Sequence, residues 1–458
     1  MKDIFLSNFE ALGLSPLILK SIARLGFDKP TPIQEEAIPL VLAGRDIMGL
    51  AQTGTGKTAA FGLPLVEHLF TRKGRPQPKT AKSLIIAPTR ELANQIAANL
   101  RIYVQGSSLR VNVVVGGASI HVQRKKLEQG TDILVATPGR LIDLLDRGAV
   151  RLNETDFLVL DEADQMLDLG FINALRKIAK LLGPKRQTLL FSATMPKQMA
   201  ELSQSYLNDP VRVETARVGQ AADKVTQCVH YIDGGKKADL LESCLAEHKE
   251  ELSIVFARTK HGAEKLMKRL VAKGFQAASI HGNKSQGQRD RAIRDFRAGK
   301  TKILVATDVA ARGIDIPGVS CVYNYDLPEV PENYVHRIGR TARAGAEGRA
   351  IAFCSASEAH LLLAIEKVMD ITIHAASGER PTKEQARANK APKRGRRGHN
   401  KNANSHGRPA GKPRHKKANG AGGSGGKSAN GSSDQYASRG GGNPKKRFRK
   451  NRKTAAAT

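Results

Sequence analysis

The 458-residue sequence predicts an α/β protein of two similar domains, each a parallel sheet with helices on both faces, followed by a basic tail that does not fold. Three observations carry this expectation. Short apolar runs alternate with amphipathic helical stretches, two of those runs recur at a fixed offset, and the apolar residues stop well before the end.

The alternation comes first. "SLIIAPTR" (83–90), "DILVATPGR" (132–140), "FLVLDEAD" (157–164) and "TLLFSAT" (188–194) each read as a buried strand ending in a polar loop. Helical patterns such as "ELANQIAANLRIYV" lie between them. Ligands gather at the carboxyl ends of such parallel strands, where these polar residues fall.

The plan then repeats. "ILVAT" occurs at 133–137 and again at 303–307, and "SLIIAPTR" (83–90) parallels "SIVFARTK" (253–260), both at an offset of 170 residues. The repeat sets threonines after corresponding strands, Thr89 with Thr259 and Thr137 with Thr307. The expected division is a first domain over 1–213, a polar linker over 214–224, a second domain over 225–374 and a tail over 375–458.

From Ser377 onward there are 23 of the 74 Lys and Arg but only 3 of the 43 acids, a net +20 out of +31 for the whole chain. After Ile373 there is no Leu, Ile, Val, Met, Cys or Trp. Such a segment cannot bury enough apolar surface to offset its ordering entropy. The charge and a pI near 10.1 point to a polyanionic partner, nucleic acid before a membrane surface. No apolar run approaches the roughly 18 residues of a spanning helix, and "MKDIFLSNFEALGL" lacks a signal-peptide core. The scattered Cys228, Cys244, Cys321 and Cys354 form no CxxC pair, which fits reduced thiols in a cytoplasmic protein.

The chemistry begins at "AQTGTGKT" (51–58), flanked by a strand and a helix. This is a P-loop with Ala51 where the strict pattern has Gly. The loop residues Ala51, Gln52, Thr53, Gly54, Thr55 and Gly56 would wrap the phosphates with backbone N–H groups. Lys57 would reach the β- and γ-phosphates, and Thr58 would hold Mg²⁺. "LVLDEADQML" (158–167) crowds Asp161, Glu162 and Asp164 behind a buried strand, an arrangement that needs a nearby cation. With a P-loop in the same domain, Asp161 is expected to help hold Mg²⁺ and Glu162 to orient the attacking water. The second half has no GKT, so one nucleotide site per chain is expected.

With "DEAD" at 161–164 the chain resembles the DEAD-box ATP-dependent RNA helicases, from about Phe9 to about Arg349. "GFDKPTPIQ" (26–34), "PTRELA" (88–93), Gly116 with Gly117, "TPGR" (137–140), "SAT" (192–194), "VFART" (255–259), "HGNKSQGQR" (281–289), "ATDVAARGID" (306–315) and "HRIGRTAR" (336–343) are similar to family motifs, in order. The resemblance implies two RecA-like domains, the first carrying a Q motif at 7–35. It further implies that Gln34 reads the adenine edge beside the isolated upstream Phe9, and that Asp315 contacts the ribose. Thr89, Arg90, Gly117, Thr137, Arg140, Thr259, Thr307 and Arg312 would touch RNA, and Ser192 and Thr194 would couple ATP state to strand separation. Arg340 and Arg343 read as arginine fingers beside a P-loop domain that lacks its own; a solvated helix face is the alternative for these regularly spaced arginines. Ala342 departs from the Gly of many members. The compact core and basic tail are most similar to the bacterial RhlE-type group, for which ribosomal precursors or RNA-degradation machinery are expected partners. A DNA helicase on the same plan and a non-enzymatic RNA-annealing protein are the rival readings.

Overall fold

The computed structural model describes residues 9–51, 54–72, 74–214, 225–314, 316, 318–342 and 347–382. Two seven-stranded parallel sheets organise them. The first contains β1 (Ile47–Leu50), β2 (Ala81–Ile86), β3 (Val111–Val114), β4 (Thr131–Ala136), β5 (Phe157–Leu160), β6 (Gln187–Ser192) and β7 (Val211–Glu214), in the order β3-β4-β2-β5-β6-β1-β7. The second contains β8 (Val225–Tyr231), β9 (Leu252–Phe256), β10 (Ala277–Ile280), β11 (Ile303–Ala306), β12 (Val319–Asn324), β13 (Gly348–Cys354) and β14 (His374–Ser377), in the order β10-β11-β9-β12-β13-β8-β14.

The two orders correspond strand for strand. The repeat also survives in register: Ser83 pairs with Ile133 in the first sheet, and Ser253 with Ile303 in the second. The offset of 170 residues seen in the sequence is therefore a repeat of tertiary position.

The central strands β2, β4 and β5 are buried throughout, which is why they read as continuous apolar runs. Their side chains alternate between faces. Ile85, Ile133, Val135, Phe157 and Val159 pack with Ile18, Ile33, Phe61 and Tyr103 on one side. Leu84, Ile86, Leu134, Leu158 and Leu160 pack with Leu141, Met166, Leu175 and Ile178 on the other. The second sheet divides in the same way, with Val255, Val305 and Tyr323 on one face and Ile254, Leu304 and Val322 on the other.

The expected tail boundary at 375 needs moving. His374–Ser377 adds an edge strand to β8, although all four residues are exposed. An edge strand of this kind is held by its backbone and leaves no apolar period to read. Residues 215–224 of the expected linker and 383–458 of the expected tail lie outside the described residues. Among the described residues no helix is long and apolar enough to cross a membrane.

Candidate nucleotide and RNA site

The helix Lys57–Thr71 begins at Gly56, whose φ of 91° is left-handed. A Cβ there would lie 2.4 Å from Gln34 Nε2, so only glycine fits without displacing Gln34. Gln34 ties two loops together. Its Nε2 donates to the Gly56 carbonyl at 3.0 Å, and its Oε1 accepts from the Thr31 N–H at 3.0 Å. A primary amide has two donors and two acceptor positions, so one of each remains for a base edge.

Lys57 is buried and donates to the Ala51 carbonyl at 3.0 Å. Thr58, Asp161 and Glu162 line the same cleft, a cavity of about 420 Å³. Burial pushes the Glu162 carboxyl up to about 7; Lys57 pulls it back, while Asp161 repels its charge. Asp161 is raised for the same first reason, again opposed by Lys57. Glu162 Oε2 is buried without a hydrogen-bond partner among the described residues. Among the described residues no three His, Cys, Asp or Glu gather into a metal cage. Thr58 and Asp161 supply instead the sparse donor set that suits a Mg²⁺ shared with phosphates.

Asp164 has a different role from its two neighbours. Its Oδ2 accepts from the Ala193 N–H at 3.1 Å, the Thr194 N–H at 3.0 Å and the Thr194 hydroxyl at 3.1 Å. Ser192 Oγ accepts from the Asp164 N–H at 3.2 Å and donates to the Thr194 carbonyl at 2.6 Å. The third carboxylate thus clasps the "SAT" turn, a link between two motifs that sequence reading left unassigned.

The second domain enters the cleft through Gly313 and Arg340. Arg340 is buried, with Nη1 donating to the Ile314 carbonyl at 2.7 Å and Nε to the His336 carbonyl at 3.2 Å. Its charge is among those that lower the pKa of Glu162. Arg337, three residues earlier, serves its own domain: it pairs with Asp308, donates to Asn324 Oδ1 at 3.1 Å and lies 4.9 Å from the Phe256 ring. A solvated face was the alternative for Arg337, Arg340 and Arg343, which recur every third residue; Arg337 and Arg340 are both buried, against it. Arg343, Asp315, Gln52 and Thr53 lie outside the described residues.

Phe9 departs from expectation. It is buried in the apolar core of the first domain and does not line the cleft. The aromatic that does line it is Phe27, 40 % exposed, in company with Lys29, Thr31, Gln95 and Asn99. An aromatic in the polar turn "GFDKP" was the available signal, since a solvent-facing ring suits base stacking.

A second cavity of about 370 Å³ is lined by Thr89, Arg90, Gly116, Thr137 and Arg140, with Arg289 and Val309 from the second domain. Thr89, Thr137, Thr259 and Thr307 are all helix N-caps at the carboxyl ends of parallel strands. Helix N-termini present unpaired N–H groups and a positive dipole end, which suits phosphate oxygens. Arg140 Nη1 donates to the Ala118 carbonyl at 3.0 Å, and Arg90 packs on Gly117, where a Cβ would meet its guanidinium. Arg90 and Arg312 also bridge the domains, Arg90 to Gln286 Oε1 at 3.1 Å and Arg312 to Asp168 Oδ2 at 2.7 Å. Arg289 pairs with Glu91 at 3.1 Å.

Residues 31–202 match the DEAD/DEAH box helicase family, and residues 236–345 match the helicase conserved C-terminal domain. The chain is 46% identical over 361 residues to the ATP-dependent RNA helicase CshA of Limosilactobacillus reuteri, covering 79% of this chain and 72% of that one. Among solved structures it is similar to Saccharomyces cerevisiae Dbp5 bound to RNA and ADP BeF3, with a TM-score of 0.73 and 33% identity over 81% of this chain and 96% of that one. It is similar also to Mss116p bound to ssRNA and AMP-PNP, with a TM-score of 0.74 and 31% identity over 82% and 79%.

Proposed function

Because the chain belongs to the DEAD-box family of ATP-dependent RNA helicases, we propose that its RNA-stimulated ATPase works by closing two domains on RNA, Arg340 of the second completing the site of the first. The observation that carries this reading is the shared cavity lined by Lys57 and Glu162 together with Arg340.

In this mechanism Lys57 leaves the Ala51 carbonyl for the phosphates, and the Gly54–Gly56 backbone cradles them. Glu162, its carboxyl lifted by burial, accepts the proton of the attacking water. Arg340 offsets negative charge developing on the transferred phosphoryl group, with Arg343 as its proposed companion. Mg²⁺ held by Thr58 and Asp161 would neutralise phosphate charge. Phe27 stacks on the base, and Gln34 reads its edge with the donor and acceptor left over from its two loop contacts. Asp315 is proposed for the ribose.

RNA would cross both domains at the four threonine-capped helices, with Arg90, Arg140 and Arg312 nearby. These groups read phosphates, which carry no direct sequence information. Asp164, through Ser192 and Thr194, would pass the state of the ATP site to the rest of the first domain.

The compact core and the basic composition after Ser377 support the proposed place in the bacterial RhlE-type group; action in the cytoplasm on ribosomal precursors or with RNA-degradation machinery is proposed from the family resemblance. The test of the mechanism is Glu162→Gln, which should bind ATP and RNA yet turn over at least ~10²-fold more slowly. Equal ATPase rates with and without RNA would sink the closure mechanism, and equal stimulation by DNA would favour the DNA-helicase reading.

A further inference from the structure

The second domain buries an ion pair that the ATP and RNA chemistry above does not use. Lys237 Nζ donates to Glu358 Oε2 at 2.5 Å and to the Tyr325 carbonyl at 2.9 Å, with side chains 4% and 7% exposed for Lys237 and Glu358. Ser355 closes a cap on Glu358, its hydroxyl donating at 2.6 Å and its N–H at 3.1 Å. A buried ion pair is a poor source of stability, because desolvation offsets much of the attraction and apolar residues could fill the space. What this pair does have is an outlet. Glu358 Oε1 accepts from Arg258 Nη2 at 2.8 Å, and Arg258 is part exposed.

Arg258 immediately precedes Thr259, and three contacts hold it. Its side chain is tied to Glu358 and donates more weakly to the Leu327 carbonyl at 3.4 Å, and its N–H donates to Asp326 Oδ2 at 2.8 Å. Thr259 then caps the helix Lys260–Ala272, its hydroxyl accepting from the Gly262 N–H at 3.0 Å. The same end of β12 anchors the other second-domain threonine. Arg337 donates to the Asp326 carbonyl at 2.6 Å and pairs with Asp308, the neighbour of Thr307.

We propose that Glu358, fixed by Lys237, is a positioning residue for RNA binding: it holds Arg258 and thereby sets the turn that presents Thr259 to the RNA backbone. The proposal rests on the reading of Thr259 as an RNA contact. The bond lies within the chain, so its loss reaches RNA affinity only through the orientation it imposed on Arg258 and Thr259, an effect of up to roughly tenfold.

The test measures Kd for a short single-stranded RNA with a non-hydrolysable ATP analogue, by fluorescence anisotropy on the full chain. Glu358→Gln should raise Kd about tenfold, while kcat at saturating RNA stays within about twofold. Arg258→Ala, which leaves the buried pair intact, should raise Kd at least as much. Adding Glu358→Gln to Arg258→Ala should then cost nothing further, because the two act through one link. A lowered Tm for Glu358→Gln with unchanged Kd would mean the pair only stabilises the fold, and multiplying effects in the double variant would break the link. Should Glu358→Gln fail to fold, an unchanged Kd for Arg258→Ala overturns the proposal by itself. Thr259→Ala separates the two layers. If it weakens binding and Glu358→Gln does not, positioning fails alone; if Thr259→Ala has no effect, the RNA reading of that turn falls and takes this proposal with it.

Discussion

Arg312 of the second domain meets Asp168 of the first, a guanidinium nitrogen 2.7 Å from a carboxylate oxygen. The same guanidinium holds Asn333 Oδ1 at 3.1 Å, so an arginine expected to serve RNA also joins the two domains. Asp168 is about half exposed, which limits a single pair of this kind to about 1 kcal/mol. Asp168→Ala should therefore raise the RNA concentration for half-maximal ATPase about threefold to fivefold. Arg312→Ala should raise it further, since the RNA contact is lost as well. An Asp168→Ala variant indistinguishable from wild type in an RNA titration of ATPase would leave Arg312 with an RNA role only.

Arg340 supplies charge to a cavity whose other charged lining residues, Lys29, Lys57, Asp161 and Glu162, belong to the first domain. Arg340→Ala should lower kcat about 10³-fold or more, with a much smaller change in ATP affinity. Nucleotide binding by equilibrium titration, set beside steady-state turnover, separates the two effects. A kcat near wild type would reduce Arg340 to a residue that packs the end of its helix.

His336 gives a pH dependence with a definite sign. Burial pushes its pKa down to about 4, opposed by Asp164 and helped by Arg340, Arg312 and Lys57. The folded state then binds fewer protons than the unfolded chain between about pH 4 and the ordinary histidine value near 6.5. The contribution is complete above that range and is lost as pH falls through it. Tm measured from pH 7 to pH 4 should fall more steeply for wild type than for His336→Gln. Parallel curves would show that this imidazole does not titrate against folding.

The charge after Ser377, a net +20, should tether RNA by counterion release. Each phosphate contact to a single strand adds a slope of about −0.7 in log K against log salt. Truncation at residue 382 should weaken RNA binding and flatten that slope, leaving kcat at saturating RNA unchanged. Superimposable titrations of the two proteins across several salt concentrations would refute the tether.

Much of this site was legible because its signals are local. The P-loop is a strand, a glycine turn and a helix within one short stretch, and the threonine caps follow apolar runs that repeat at a fixed spacing. Arg312 with Asp168, and Arg90 with Gln286, join residues 144 and 196 positions apart. No local period encodes such a pairing. Phe9 and Phe27 show a second limit: both are aromatic and close to the same motif, and the polar turn around Phe27 was the sole local hint that it, not the buried Phe9, faces the cleft. Asp164 was visible as a third acid, but its partners belong to a different strand end.

Gly313 carries one last consequence. Its φ of 70° is left-handed, and a Cβ there would lie 2.3 Å from Thr89 Oγ1 and 2.8 Å from Leu92 Cβ. Bare backbone of the second domain therefore abuts the cap of a helix assigned to RNA, while the same glycine lines the nucleotide cavity. On the proposed mechanism the two ligands would share a threshold at this point, since Gly313 borders both surfaces. On the proposed mechanism the contact would act as a coincidence detector, held closed only when ATP and RNA are both bound. A methyl group at this position would jam it in the off state.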